Sequence, residues 1–128
     1  MAGILTYKSA AHATFYKNYL INTAYRFDGR TLAALFLLTS TPDLWKRARA
    51  AIKGKKVRFD KIDIHGISAY GYTLVVIARD IYKNTTHINL YDLADDFLIS
   101  SNMFKLIMSA ITVAREGYEA IGIVKRFW

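Results

Sequence analysis

The chain contains no cysteine and only one proline. Without cysteine there is no disulfide framework, no thiolate metal site and no cysteine nucleophile. The start, Met1-Ala-Gly-Ile-Leu-Thr, has no basic segment ahead of a long apolar run, so no signal peptide is expected. Long apolar runs are missing too: the longest, residues 32–38, has seven residues, where a membrane span takes about 20. No G-x-S-x-G elbow, no G-x-x-x-x-G-K-[ST] or G-x-G-x-x-G phosphate loop and no H-E-x-x-H pair occurs. Linkers, low-complexity tracts and repeats of solenoid period are likewise absent. These absences point to the cytoplasm and away from a membrane partner.

What is present is enough for a core. The 128 residues are 53% apolar and 22% charged, the composition of one globular domain, residues 1–128, that folds alone. The periodicity is helical almost throughout. Phe15, Tyr16, Tyr19, Leu20 and Ala24 recur at spacings of three and four after Ser9, a good N-cap. Asp28 can cap a second helix over residues 30–39, whose apolar run must be nearly all buried. Thr41-Pro42-Asp43 starts a third, residues 42–52, with a capping hydroxyl, a proline where its missing amide is harmless and an acid that favours the helix dipole. Gly54 ends it, and Val57, Phe59, Ile62 and Ile64 suggest two short extended pieces or a small β-hairpin over residues 57–64.

Residues 68–82 carry Tyr70, Leu74, Val75, Ile77, Ala78, Ile81 and Tyr82 over more than half of a helical circumference, which makes this the expected central helix. A short acidic helix or turn follows over residues 90–97, with Leu90, Leu93, Ala94 and Phe97 opposite Asp92, Asp95 and Asp96. Ser100 or Ser101 caps a last helix, residues 102–116, and Gly117 ends it. The tail, residues 118–128, contains Ala120-Ile-Gly-Ile-Val, β-prone enough to pair with residues 57–59 or else to pack as an arm. The expected fold is all-α: five or six helices around a central buried helix, with room for a minor β-hairpin.

The net charge of +8 is unevenly placed: the first 64 residues hold twelve Lys/Arg against four acids, the remainder six against six. Within residues 46–61 lie Lys46, Arg47, Arg49, Lys53, Lys55, Lys56, Arg58 and Lys61, opposed only by Asp60. A cationic helix face followed by a basic turn can meet several phosphates or an acidic protein face. The outward residues are lysine and arginine, without the Asn, Gln and Ser that read base edges, so contact with a nucleic acid would be to its backbone. Trp45 and Phe59 fall on the apolar pattern. Nine tyrosines and two tryptophans exceed what a core of this size needs and suit an interface.

Catalytic groups are sparse. His12, His65 and His87 lie in three separate segments with no shared ligand spacing. Asp92, Asp95 and Asp96 could serve a divalent cation, but their pattern is that of a solvated helix face. Arg79-Asp80 would be functional if it lined a pocket and is otherwise a structural ion pair. A small metal-dependent hydrolase or nuclease would need Asp92, Asp95 and Asp96, or Arg79 and Asp80, to meet a histidine in space. No cofactor, metal or catalytic residue is therefore assigned.

The order of His12-x-x-Phe15-Tyr16, Ala34-Leu-Phe-Leu-Leu-Thr39, Leu44-Trp45, Gly66-Ile-Ser68, Tyr72-Thr-Leu74, Ala78-Arg-Asp-Ile-Tyr82, Tyr91-Asp-Leu93 and Ala110-Ile111 before Gly117 resembles an uncharacterised family of small proteins. These are met in Gram-positive bacterial genomes, prophages and mobile elements, and have no established activity. The resemblance spans most of the chain through core and capping residues; the basic stretch is not part of it. It implies a small accessory protein that acts on a host nucleoprotein machine, for instance an inhibitor of a CRISPR-type effector. The leading expectation is thus a non-enzymatic binding protein acting on a host protein or nucleoprotein complex through Lys46, Arg47, Arg49, Lys53, Lys55, Lys56, Arg58 and Lys61. The alternative is a sequence-independent nucleic-acid binder.

Overall fold

The computed structural model describes residues 4–123. Among them are seven α-helices: α1 Ala10–Asn22, α2 Gly29–Leu38, α3 Pro42–Ala48, α4 Ala69–Lys83, α5 Leu90–Ala94, α6 Ser101–Glu116 and α7 Tyr118–Ile121. Two strands, β1 Ile52–Lys53 and β2 Lys56–Val57, form a minimal antiparallel hairpin between short 3-10 turns at Arg49–Ala51 and Phe59–Lys61. The fold is a mostly-α domain, and no helix of the described residues is long and apolar enough to cross a membrane.

The helix starts obey local chemistry. Ser9, Asp28, Thr41, Ser68, Asn89 and Ser100 each cap a helix by accepting a hydrogen bond from a first-turn amide, and Pro42 occupies the first turn of α3. Each such cap satisfies a donor that the helix itself cannot, worth about 1 kcal/mol. Asn84 ends α4 in the left-handed region at φ 57°, one of the few conformations there that a non-glycine side chain tolerates.

The helix at the centre is α2, not α4. Every residue from Thr31 to Leu38 is buried, because α2 lies between α4 and α6 and is closed off on a third side by α1. The broad apolar arc of α4 does face the core through Leu74, Val75, Ile77 and Ala78, but Tyr72 and Arg79 remain in solvent. A run without any polar stripe, as in α2, demands more burial than a wide stripe does.

Two donors from α1 fix its register on α2. Tyr16 Oη donates to the Leu32 carbonyl at 2.6 Å, and His12 Nε2 donates to the Phe36 carbonyl at 2.8 Å. Both pairs are four residues apart and run in opposite senses, so α1 and α2 are antiparallel. His12 is 2% exposed. The Lys8 amide donates to its Nδ1 at 2.9 Å, which leaves Nε2 as the protonated nitrogen. Burial of the ring holds its pKa down to about 4, against the smaller raising effect of the Phe36 carbonyl.

Gly29 sits at a close contact between α2 and α6: a Cβ at this position would run into the Ala114 carbonyl oxygen. Further along the chain, Asp80 is buried at the end of α4 and accepts from Thr85 Oγ1, His87 Nδ1 and the amides of His87 and Ile88, at 2.6–2.8 Å. Burial pushes this carboxyl up, but the hydrogen bonds together outweigh it and leave its pKa below the ordinary value. Asp80 therefore folds the loop between α4 and α5 around itself instead of pairing with Arg79.

The hairpin lies earlier than residues 57–64. Gly54 does not simply stop the third helix; with φ +58° at Gly54 and no positive φ at Lys55, the two residues make a type II′ loop between β1 and β2. Residues 59–61 then form a 3-10 turn. The tail also differs from expectation, since Ala120 and Ile121 belong to the one-turn helix α7 and do not pair with residues 57–59. Of the proposed β-prone segment, Val124 lies outside the described residues, as does Trp128.

Candidate functional site

The basic stretch is carried on a small platform anchored to the core. Val57, Phe59 and Ile62 are buried, the Val57 amide donates to Tyr82 Oη at 3.1 Å, and the Phe59 and Tyr82 rings meet with centroids 5.5 Å apart. The Arg58 amide extends the ladder by donating to the Ala51 carbonyl at 2.8 Å. Apolar residues below and a short ladder between them fix where the cations above must point.

Seven of the eight predicted cations, Lys46, Arg49, Lys53, Lys55, Lys56, Arg58 and Lys61, are exposed, and none of them forms an ion pair among the described residues. Arg47 is the exception. Its Nε donates to Asp43 at 2.9 Å, and its Nη1 donates to the carbonyls of Asp63 and His65, both at 2.8 Å. It straps the segment after the hairpin onto α3, so its guanidinium is engaged by the fold.

The hairpin register makes the charge density concrete. Ile52 is opposite Val57 and Lys53 is opposite Lys56, so one face of the hairpin is apolar and inward while the other carries two lysines side by side. Lys55 occupies the loop between them. Like charges directly opposite on paired strands destabilise a hairpin by up to about 1 kcal/mol. An anion seated between them would remove that repulsion.

Beside this platform a pocket of about 520 Å³ opens between the start of α1, the end of α2 and α3. Trp45, expected in the core, is only half-buried and forms one wall, with its ring held edge-on by Tyr19 and Phe15 at centroid distances of 4.9 and 5.5 Å. Lys46 and Arg49, one turn apart, border the same pocket. The structure thus joins two of the predicted cations to aromatic rings from a different helix.

Among the described residues no group of three or more His, Asp or Glu is placed to hold a metal ion. Asp92 and Asp95 are engaged in local backbone caps instead, Asp92 in the capping box of α5 and Asp95 with the Phe97 amide. His87 meets Asp80, but its amide and ring supply two of the four hydrogen bonds to a carboxylate that organises a loop. Compared with known proteins, the chain matches no family model, no curated protein and no solved structure.

One surface was missed by sequence reasoning. Phe97 is 99% exposed and Leu90 and Tyr91 are each 84% exposed, whereas periodicity placed Leu90 and Phe97 on the inward side of one helix. Leu98, and Phe104 and Met108 one turn apart on α6, are also exposed. The reason is that α5 ends at Ala94, so Phe97 sits in a turn and not on the helix whose phase assigned it to the core. The available signal was the run Asp95-Asp96, which disfavours continuation of so short a helix.

Proposed function

We propose that the protein is a non-enzymatic binding protein that docks on the phosphate backbone of a nucleic acid within a nucleoprotein complex, using the basic face of α3 and the β1–β2 hairpin. The observation that carries this reading is the Lys53–Lys56 cross-strand pair, flanked by five further exposed cations with no acidic partner among the described residues. A merely solubilising surface intersperses charges of both signs, whereas this one concentrates one sign where strand pairing is weakened by it. Phosphate is the anion that repeats at a spacing several neighbouring cations can share.

The exposure of Phe97, Leu90 and Tyr91 favours a protein component in the same partner, since exposed aromatic and aliphatic side chains are a usual mark of protein contacts. A host defence complex of CRISPR type as the target is supported by the sequence resemblance alone.

The test is a salt titration of binding to a labelled oligonucleotide, with Lys56→Glu as the informative variant. Each backbone contact adds roughly 0.7–0.9 to the slope of log affinity against log salt. Lys56→Glu turns a like-charge cross-strand pair into an opposite one, so it should raise stability by a few tenths to about 1 kcal/mol while weakening binding and flattening the slope. Undiminished binding in this variant would remove the hairpin from the site. No binding by the wild-type protein at low salt would defeat the reading as a whole.

A further inference from the structure

The pocket beside α3 offers a specific contact that backbone docking does not require. Its walls are Phe15 and Trp45, and its mouth carries Lys46 and Arg49. At about 520 Å³ it falls within the ~300–1,000 Å³ of pockets that take small organic groups. The rings do not simply collapse into it. Trp45 is pinned by Tyr19 at 4.9 Å, and Phe15, 41% exposed, stands edge-on to Trp45.

The polar groups on its lining differ in what they have left to give. Thr39 and Ser40 spend their hydroxyl protons on the Leu35 and Leu37 carbonyls at the end of α2, at 2.7 and 2.6 Å, so they face a ligand as acceptors. Ser9 and Thr41 accept the cap bonds of α1 and α3, and their own protons make no hydrogen bond among the described residues, so they can donate. His12 has both nitrogens occupied and offers neither. The complement of such a lining is a flat group with an apolar face, donors and acceptors mixed along its edge, and a negative charge close by.

We propose that this pocket takes one unpaired base of a single-stranded nucleic acid, stacked against Phe15 and Trp45, with its phosphate held by Lys46 and Arg49. This deepens the function proposed above and rests on it: the same chain segment runs from the pocket mouth through Arg49 to Lys53 at the hairpin, so a strand with one base inserted would carry its neighbouring phosphates toward the other cations. A duplex, whose bases are already stacked and paired, could use the cations but not the pocket. Aromatic stacking on an unpaired base is sequence-tolerant, so most of the affinity of the pocket would not depend on which base enters it.

The experiment compares a labelled single-stranded oligonucleotide with the duplex made by annealing its complement, in the wild type and two pocket variants. Ala11→Phe places a ring in the pocket from an exposed position of α1, and Phe15→Ala removes one wall; neither alters a cation. The single strand should bind the wild type about tenfold more tightly than the duplex, and both variants should erase that preference while leaving duplex affinity and its salt slope unchanged. With Trp128→Phe leaving Trp45 as the one tryptophan, the single strand should also quench its fluorescence and the duplex should not. Equal binding of the two forms, or a preference that survives both variants with their thermal unfolding intact, would overturn the base pocket and leave the basic surface standing. Quenching by a free mononucleotide as strong as by the strand would overturn the strand as the occupant. Binding of neither form removes the underlying reading, and this one with it.

Discussion

His12 is the residue whose role changes most between sequence and structure. It lies between lysines and alanines and has no second ligand in reach of its sequence spacing, yet it is a neutral buried crosslink from α1 to α2. Its pKa is lowered from 6.5 to about 4, so between these values the unfolded chain binds a proton that the folded protein refuses. The stability it contributes is complete above pH 6.5 and is lost as the pH falls through about 4. The loss should amount to about 3 kcal/mol over that window, read from urea unfolding at a series of pH values. In His12→Gln, which cannot titrate, the dependence between those limits should flatten. Asp80, with a lowered pKa of its own, contributes stability that is lost only at still lower pH, so the two effects separate.

At the scale of elements, the helix caps and the helix contact at Gly29 have different origins. The caps follow from residues three apart, as at Asp28 with the Thr31 amide, and so can be read from the chain. Gly29 as a contact cannot, because its neighbour Ala114 is far along the sequence. Alanine there should help an isolated helix by up to about 1 kcal/mol, but its methyl must displace a backbone carbonyl. Overpacking of this kind typically costs about 1–3 kcal/mol, so Gly29→Ala should lower the urea midpoint without changing helical content. A stabilised variant would mean that α6 can move away from α2 freely. The hairpin shows the same division. Gly54-Lys55 was legible as a break, but whether it ends a helix or turns a strand depends on the inward packing of Val57 and the bond to Tyr82.

For the whole molecule two sets of exposed side chains stand out, the cations of α3 and the hairpin and the apolar residues of α5, the turn after it and α6. Because Phe97 is 99% exposed, Phe97→Ser should change unfolding free energy, read from urea unfolding, by no more than about 0.5 kcal/mol. A destabilisation beyond about 1 kcal/mol would instead place Phe97 against other side chains. The sequence by itself determined the fold class, the capped starts of the helices and the concentration of positive charge, since periodicity, capping and net charge are local or additive quantities. Only the tertiary structure decided that α2 is the central helix, that Arg47 straps the segment after the hairpin onto α3, and that Phe15 and Trp45 meet beside Lys46 and Arg49. Each of these depends on which distant segments cover a side chain, and burial by distant segments has no signature within a window of the chain.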